Sequence, residues 1–479
     1  MTTIQNIVFN NGPMISSDLV KLLAAQENIS ENTASKRVER ESELHRISGF
    51  FQSNQSLVYL SEQQEEGEIL DLLTSQMEKY GRKYWYIINA LKYHRGTMSR
   101  DFLETYSNYP IEPLISHIPF NEVMQKFVKE NILVFNNDEY SFSPKFRFKG
   151  SNPFLSQTLE VIKRNVLENY STQMKNIGMV SYGSAELFAE YGKFRWAFKG
   201  VSPIKGLMNG GNFGFVLGDI ILGRPTYTHD IEFFIKKIDT IQRFKNASRI
   251  IPVLLVDSID KGAFNLLKER GVVIGVIKEI FGEKYAATLN DLITVLTNAA
   301  ASLAKHPDRY LELIAELRKY NNGLLNNIKG ALFEYVAGQY FIYHNATLQM
   351  SWEIFDETGK HEMDILAIFG DKVVVAECKG RITSTPVEAI NLFLTKKVPA
   401  FKKWVTKQEV LKNKKIEFEF WSSSGFTPEA LVRIEDLKLN YNKNAVVFLG
   451  QKEIMARAKE MKNKKLQDTL NNFFFKTSV

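Results

Sequence analysis

Cysteine is almost absent from this chain, which has one Cys in 479 residues. A single thiol cannot form a disulfide framework or a multi-cysteine zinc site, and it fits a reducing, cytoplasmic setting. Histidine is scarce as well, and the seven His residues form no pair with the spacing of metal ligands. No apolar run approaches the length needed to span a bilayer, and no apolar signal region is present at the N-terminus. We therefore expect a cytoplasmic protein without a membrane partner.

The residues that are present are those of a folded, mildly basic protein with more than one domain. At 479 residues the chain exceeds a single compact core, so about two to four domains are expected. Phe and Tyr, 34 and 19 in number, supply ample apolar material for those cores. The formal net charge of +7 permits a nucleic-acid partner without demonstrating one.

The first segment, residues 1–66, has the element order of a winged helix-turn-helix. An amphipathic helix over "SSDLVKLLAAQ" precedes a polar helix over "SENTASKRVERESE", and "GFFQSNQSLVYL" then predicts a hairpin. The polar helix would place Lys36, Arg37 and Arg40 at DNA phosphates or base edges. A looser copy of the same order follows in residues 67–150. The alternative for both copies is a helical scaffold with solvated charges.

The rest of the chain alternates between helices and short apolar runs, which predicts α/β structure. In residues 151–285, "FGFVLGDIILG" and "RIIPVLLVD" are typical of strands buried on both faces. Residues 286–479 begin with a long helical stretch, continue with alternating strands and helices, and end in a basic helix. The predicted fold class is therefore multidomain: a tandem pair of α+β winged-helix domains, a middle α/β domain and a C-terminal α/β domain.

Charged side chains interrupt the apolar stretch "MDILAIFGDKVVVAECKG", which predicts two strands joined by a tight turn. Asp364 lies on the first strand, and Glu377 and Lys379, two residues apart, project from one face of the second. Antiparallel pairing would bring Asp364 close to Glu377, where two carboxylates repel each other. A bound Mg²⁺ would remove that conflict, with the Cys378 carbonyl as a further oxygen ligand. Lys379 would then orient or help to deprotonate a metal-bound water.

Two further groups of residues belong with this pattern. Glu334 lies in "IKGALFEYVAGQYF", among apolar residues that repeat at helical spacing, and its carboxylate would reach a metal directly or through water. The stretch "TKKVPAFKKW" follows the two strands and is rich in lysine. Its lysines form either a solvated face or a set of phosphate contacts: Lys396, Lys397, Lys402 and Lys403.

Glu334, Asp364 in "HEMDILA", and the pair Glu377 and Lys379 in "VVVAECKG" together resemble the active-site pattern of the PD-(D/E)xK nuclease superfamily. Within it, the chain resembles Mrr-type restriction endonucleases and archaeal Holliday-junction resolvases. A downstream "SGFTPEA" is similar to the helix start of Mrr-type domains, so the resemblance covers about residues 290–450. The chain departs from the pattern at Met363, which stands where the superfamily motif has a proline before the aspartate.

The resemblance implies a restriction-endonuclease-like α/β fold and hydrolysis of phosphodiester bonds with Mg²⁺ or Mn²⁺. It implies that Asp364 and Glu377 are metal ligands and that Lys379 lies beside the attacking water. Together with N-terminal winged helices, it predicts an endonuclease of restriction or defence type that acts on double-stranded DNA. Because double-strand cutting with one such site per chain usually calls for two chains, a homodimer is expected. The alternatives are a ligand-gated DNA or RNA effector nuclease and a non-catalytic winged-helix regulator.

The order of signals over residues 178–280 predicts a second, degenerate copy of the nuclease fold. In that correspondence "GSAELFAEYGKF" takes the place of the helix of Glu334, which makes Glu186 its counterpart. Asp219 in "FGFVLGDIILG" takes the place of Asp364. No acid and lysine two residues apart follow on an apolar strand, so Asp219 and Glu186 would not assemble a metal site. The alternative is an unrelated α/β module.

Overall fold

The computed structural model describes residues 1–65, 69–115, 117–146, 148–209, 211–244, 248–297, 299–320, 328–356, 359–440 and 446–475. Over these ranges the chain is a mixed α/β protein with several sheets, and it divides into two compact units, Met1–Ile277 and Lys278–Val479. The three segments predicted as N-terminal and middle domains all begin within the first unit. No helix in the described ranges is both long and apolar enough to cross a membrane.

The N-terminal segment folds into three helices and a three-stranded antiparallel sheet. Its elements are α1 (Thr3–Asn11), β1 (Met14–Ile15), α2 (Ser16–Glu27), α3 (Glu31–Arg40), β2 (His45–Ser48) and β3 (Ser56–Tyr59). The left-handed backbone of Asn28 ends α2, and the Ser30 hydroxyl begins α3 by accepting the Thr33 N–H. The sheet order is β1-β3-β2, so the short strand between the first two helices pairs with the second strand of the hairpin.

The next segment repeats this order of strand, two helices and hairpin. Its elements are α4 (Ser61–Glu65), α5 (Ile69–Tyr80), α6 (Arg82–Tyr93), β4 (Thr97–Ser99), α7 (Arg100–Thr105), α8 (Phe120–Lys129), β5 (Leu133–Asn136) and β6 (Glu139–Phe142). The sheet order is β4-β6-β5. β4 precedes α7 and pairs with β6, just as β1 precedes α2 and pairs with β3.

Helix α8 has the position in its segment that α3 has in the first, but one side of α8 packs against the first hairpin. The Lys126 ammonium donates to the Gly49 carbonyl and lies 5.0 Å from the centre of the Phe50 ring. Phe127 also contacts Phe50, with 4.8 Å between ring centres. The charged face of α3 is instead exposed. The two segments therefore share an element order but differ in which helix surface is open to solvent.

A five-stranded sheet completes the first unit. Its elements are α9 (Pro153–Asn176), β7 (Glu186–Tyr191), β8 (Phe194–Ser202), β9 (Gly214–Thr226), α10 (Glu232–Gln242), β10 (Ile250–Ile259), α11 (Lys261–Glu269) and β11 (Val273–Val276). The order is β11-β10-β9-β8-β7. β7, β8 and β9 pair antiparallel, whereas β9, β10 and β11 pair parallel and are connected through the helices α10 and α11. The apolar runs at β9 and β10 are buried, as their composition predicts.

An ion pair lies inside this sheet. Asp219 on β9 is 2 % exposed and Lys237 on α10 is fully buried, and their charged atoms are 2.5 Å apart. The Lys237 ammonium also donates to the carbonyls of Thr105 and Arg195, at 3.0 and 2.9 Å, and the Ala197 N–H donates to Asp219 at 3.0 Å. Burial raises the pKa of Asp219 to about 6, although Lys237 opposes that shift. The pair is thus enclosed by its own hydrogen bonds.

The remaining elements belong to the second unit, apart from α12, which begins at the last residue of the first. They are α12 (Ile277–Phe281), α13 (Glu283–Thr297), α14 (Ala299–Lys305), α15 (Arg309–Tyr320), α16 (Lys329–Tyr343), β12 (Thr347–Asp356), β13 (Gly359–Ile368), β14 (Lys372–Lys379), α17 (Val387–Leu392), α18 (Val398–Lys407), β15 (Lys415–Ser422), α19 (Pro428–Asn440), β16 (Val446–Leu449), α20 (Gln451–Glu460) and α21 (Lys464–Thr469). The basic C-terminal segment, predicted as one helix, breaks at Lys462, where φ is +52°, and Asn463 caps α21.

The sheet of the second unit has the same order and strand directions as that of the first. Its order is β12-β13-β14-β15-β16, with β12, β13 and β14 antiparallel and β14, β15 and β16 parallel. A helix precedes the first strand in both units: α9 in one and α16 in the other. The sequence predicted a second copy of the later fold, with Glu186 as the counterpart of Glu334 and Asp219 as the counterpart of Asp364.

Two of the predicted correspondences between the sheets are wrong. Residues 183–194 contribute to strands β7 and β8 rather than to a helix, so Glu186 is no counterpart of the helical Glu334. Glu186 is exposed and pairs with Lys199 at 3.1 Å. Asp219 lies on the third strand of its sheet, whereas Asp364 lies on the second strand of the other. By strand position Asp219 therefore corresponds to Glu377. The sequence could not show this, because the helix-like run at 183–194 hid the first strand.

Replacing Lys237 by Met would leave the Asp219 carboxylate buried without a cation. We expect the free energy of unfolding to fall by about 3–5 kcal/mol. The double variant Asp219→Leu, Lys237→Met removes both charges and should recover most of that loss. Urea denaturation of the full chain measures both values. A double variant as unstable as Lys237→Met alone would show that the unpaired charge is not the cause.

Candidate active site

The candidate site is built on the antiparallel pair β13 and β14, which a tight turn connects. The Phe369 N–H donates to the Lys372 carbonyl across that turn at 2.9 Å. The register pairs Ile365 with Ala376, and one further step along it places Asp364 opposite Glu377. The antiparallel approach of these two strands, expected from the sequence, is therefore present.

Asp364 is buried, and its carboxylate is held by the backbone of the neighbouring strand. The Cys378 N–H donates to Asp364 Oδ2 at 2.6 Å. Burial raises the pKa of Asp364, the nearby Glu377 carboxylate raises it further, and the ammonium groups of Lys379 and Lys397 oppose the shift. Burial also raises the pKa of the Cys378 thiol well above its usual range, so the thiol stays protonated and unreactive.

Glu377 lies between two lysines. Its Oε1 is 2.5 Å from the Lys379 ammonium, and both of its oxygens contact the Lys397 ammonium, at 2.8 and 2.7 Å. Burial alone would raise the pKa of Glu377, but the two ammonium groups outweigh burial and hold that pKa below its usual value. Burial acts in the opposite direction on Lys379, yet Asp364 and Glu377 raise its pKa above the ordinary lysine value. Lys379 is therefore an ammonium that donates hydrogen bonds and not a base.

The position of Lys397 was not expected. The sequence predicted a phosphate contact there, but the structure turns its ammonium inward, onto Glu377 and the Glu362 carbonyl, the latter at 3.3 Å. A π-helical turn over Phe393–Lys397 connects α17 to α18 and ends at this residue. Such wide turns re-aim side chains and occur often at functional sites. No sequence signal distinguishes Lys397 from its exposed neighbour Lys396.

Glu334 and Glu362 add two carboxylates to the site. Glu334 on α16 is buried, and the Ser351 hydroxyl donates to it at 3.4 Å. Burial raises the pKa of Glu334 well above its usual range, and the charges of Asp364 and Glu362 raise it further. Glu362 lies two residues before Asp364, on the same face of β13. Burial, followed by Asp364 and Glu353, raises the pKa of Glu362 to about 7. The sequence predicted Glu334 and missed Glu362, although the alternation in "HEMD" would have indicated it.

The balance of charge in this place favours a cation. Four carboxylates, on Glu334, Glu362, Asp364 and Glu377, lie within electrostatic reach of one another and face two ammonium groups. Oxygen donors of this kind suit Mg²⁺ or Mn²⁺. Among the described residues, no three His, Cys, Asp or Glu side chains form a ready cluster of ligands. Because Lys397 occupies both oxygens of Glu377, a metal there would have to displace that contact.

The other predicted cations are distributed over exposed helices. Lys396, Lys402 and Lys403 are exposed at or beyond the π-helical turn and along α18. On α3, the Arg37 guanidinium pairs with the Glu27 carboxylate, with one of the two contacts at 3.1 Å. Lys36 and Arg40 form no ion pair with any residue that the structure describes, so they are the cations of α3 that are available to a partner.

Solved structures that are similar to the chain over part of its length include the following three. A complex of EndoMS with double-stranded DNA is 11% identical over 29% of this chain and 50% of that chain, with a TM-score of 0.19. A repair endonuclease from Pyrococcus abyssi is 13% identical over 29% of this chain and 51% of that chain, with a TM-score of 0.18. Can2 from Sulfobacillus thermosulfidooxidans, in complex with cyclic tetra-adenylate, is 12% identical over 44% of this chain and 74% of that chain, with a TM-score of 0.18.

The chain thus spans about half the length of the first two structures. No family model matches the chain, and no curated protein sequence matches it. At these TM-scores the likenesses do not define a shared fold, and the functional interpretation rests on the residues of the site.

Lys397→Met tests whether the inward lysine stabilises the site. Without its ammonium, Glu377 keeps Lys379 as its single cation, and we expect the free energy of unfolding in metal-free buffer to fall by about 1–3 kcal/mol. Lys396→Met is the matched control, because it removes the same charge from an exposed neighbour that forms no ion pair with the described residues, and it should change stability little. Equal effects of the two substitutions in urea denaturation would contradict the assignment of Lys397 to the site.

Proposed function

We propose that the chain is a metal-dependent endonuclease that hydrolyses phosphodiester bonds in double-stranded DNA. The observation that supports this most is the excess of buried carboxylate where β13 and β14 pair, with Asp364 and Glu377 beside the Lys379 ammonium. Such an excess is costly in a protein interior unless it serves a cation. The types and positions of these residues are those that the resemblance to PD-(D/E)xK nucleases assigns to catalysis.

In this proposal Asp364, Glu377 and the Cys378 carbonyl hold Mg²⁺, and Mn²⁺ substitutes for it. The bound metal supplies an acidified water and offsets the charge that develops on the phosphate. Glu334 contributes a further carboxylate from α16, directly or through water. Lys379, kept charged by its acidic neighbours, orients the attacking water by donating a hydrogen bond to it.

Recognition of DNA is assigned to the N-terminal segment, in which α3 and the β2–β3 hairpin act as a winged helix. Helix α3 is exposed along its charged face and carries Lys36 and Arg40, which form no ion pair with the described residues. The corresponding helix α8 uses Lys126 to hold the first hairpin. We therefore assign the reading of DNA to the first segment and a supporting role to the second. Exposed Lys396, Lys402 and Lys403 would contact phosphates near the cut.

The sheet of the first unit is, in this proposal, a second copy of the nuclease fold without a working site. Strand order and directions agree, and the Asp219–Lys237 pair takes the place of Glu377 and Lys397. The register of Phe198 with Gly218 places Ala197 opposite Asp219, so the second carboxylate is missing. Ile221, two residues beyond Asp219, stands in the place of Lys379.

A reader of DNA joined to one cutting site is the arrangement of a restriction or defence nuclease, and that is the role we propose. With one working site in each chain, a homodimer would be needed to cut both strands. A non-catalytic regulator would have no use for the buried carboxylates, and an assay of plasmid cleavage with and without Mg²⁺ separates the two functions.

Asp364→Ala, Glu377→Ala and Lys379→Ala should each abolish Mg²⁺-dependent cleavage of plasmid DNA while leaving DNA binding intact. Loss of a ligand or of the water-orienting cation should lower the rate by roughly a thousandfold or more. Glu334→Ala should be milder if its contact is through water. Asp436→Ala, which removes an exposed carboxylate on α19, is the control and should cut normally. Substantial cleavage by purified Asp364→Ala would contradict the assignment of Asp364 to the active site.

Lys36→Gln combined with Arg40→Gln should weaken binding of duplex DNA and flatten its dependence on salt. Affinity falls as salt rises, and each lost phosphate contact should reduce the steepness of log affinity against log salt by about one unit. Arg37→Gln should have a smaller effect, because Glu27 already pairs with that guanidinium. Lys79→Gln, on α5, removes an equivalent exposed charge and serves as the control. An unchanged salt slope in the double variant would show that α3 is not the reading helix.

A further inference from the structure

The loop that leaves the catalytic strand is fixed in place by the loop that follows the neighbouring strand. The Ser423 hydroxyl donates to the carbonyls of Lys379 and Arg381, at 3.3 and 3.2 Å. The Ser424 hydroxyl donates to the carbonyl of Thr383 at 2.6 Å. The Thr385 hydroxyl shares a hydrogen bond of 2.7 Å with Ser422. The backbone of residues 380–385 is therefore held along most of its length.

The same loop is also fixed from the side of α16, the helix that carries Glu334. A Cβ atom on Gly380 would lie 2.6 Å from the Phe333 Cβ and 2.7 Å from the Lys329 carbonyl, so only glycine fits between the helix and the strand end. This close approach holds the start of the loop against the helix that supplies one of the site's carboxylates. Four residues beyond Gly380 are exposed to solvent: Arg381, Ile382, Thr383 and Ser384.

Arg381 carries a charge that no anion among the described residues compensates. Its guanidinium forms no ion pair with any of them, and the like charge of Lys379 repels it. A cation beside another cation is unfavourable unless an anion joins them. Lys379 has Glu377 as its partner, whereas Arg381 projects from a rigid loop next to the site and faces solvent. This is the local chemistry of a phosphate-binding position.

We propose that Arg381 binds a backbone phosphate of the nucleic acid next to the phosphate that is cut, and so positions the substrate on the site. The inference rests on the proposed function and adds to it a substrate-binding residue that the sequence did not indicate. Because the loop is held before substrate arrives, little backbone entropy is lost when the contact forms. A guanidinium also matches the geometry of two phosphate oxygens, which a lysine cannot do.

The test compares Arg381→Gln with Lys415→Gln in the full chain. Lys415 lies at the start of β15, paired in register with Lys372, and is therefore at the opposite end of the strand from the site. Arg381→Gln should raise KM for duplex DNA about tenfold with kcat within about threefold of the native value, and Lys415→Gln should change neither. Arg381→Lys should restore the salt dependence of binding but only part of the affinity. A loss confined to kcat, or equal effects of the two glutamine variants, would overturn the proposal.

A second measurement locates the phosphate. Binding is measured without cleavage in the Asp364→Asn background, on duplexes that each carry one neutral methylphosphonate. At one position, neutralising the phosphate should weaken binding of the Asp364→Asn chain and have no further effect once Arg381 is also replaced by Gln. If the loss of affinity from the neutral phosphate and the loss from Arg381→Gln add at every position, the proposed contact is wrong. If inorganic phosphate weakens the binding of all these duplexes equally, Arg381 binds free anions and not one phosphate of the DNA backbone, and the proposal is wrong.

The two measurements also separate this proposal from the nuclease assignment. If the native chain cuts no nucleic acid while Arg381→Gln still weakens duplex binding at one position, the cleavage function fails and the phosphate contact stands. If the native chain cuts DNA and Arg381→Gln binds and cuts as the native chain does, the phosphate contact fails and the cleavage function stands.

Discussion

The register of β13 on β14 is the constraint on which the candidate site depends. On the face that carries Asp364 and Glu377, the same two strands present Leu366 and Val375 to the hydrophobic core. Side chains alternate along a strand, so a slip of one residue in either strand would move its carboxylate to the other face. The packing of the apolar part of the sheet therefore fixes the carboxylates in space. The site therefore lies at the polar end of a sheet whose register is fixed by its apolar packing.

The charges that this register brings together need compensation, and lysines from the following helical segment provide it in both units. Lys397 reaches Glu377 from the π-helical turn, and Lys237 reaches Asp219 from α10. The two sheets differ in charge balance because they bury different numbers of carboxylates and ammonium groups. One carboxylate and one ammonium in the first unit satisfy each other and are sealed by backbone carbonyls. In the second unit the carboxylates outnumber the ammonium groups, which leaves the acidic excess on which the proposed metal site is based.

Most of the elements could be predicted from the sequence, because apolar periodicity and capping residues act locally. The strands around Asp364 and Glu377, their turn and the helix of Glu334 follow from such signals. Lys397 could not be placed in the same way, because the π-helical turn that directs it inward has no composition of its own. Glu362 was overlooked, although the alternation in "HEMD" places it on the face of Asp364. Residues 183–194 were misassigned because Leu187, Phe188 and Ala189 are consecutive apolar residues, so the run lacks the alternation that would have indicated a strand.

Two element orders each occur twice in the described residues, and the two occurrences of each order treat their charged side chains differently. Helix α3 exposes its charged face, whereas α8 packs its Lys126 onto the neighbouring hairpin. The sheet of the second unit keeps an excess of buried carboxylate, whereas the sheet of the first closes its carboxylate with Lys237. A carboxylate that is paired in this way leaves no uncompensated charge for a ligand to bind. The acidic excess of the second unit has no such internal compensation, so it lowers the stability of that unit unless a cation joins it.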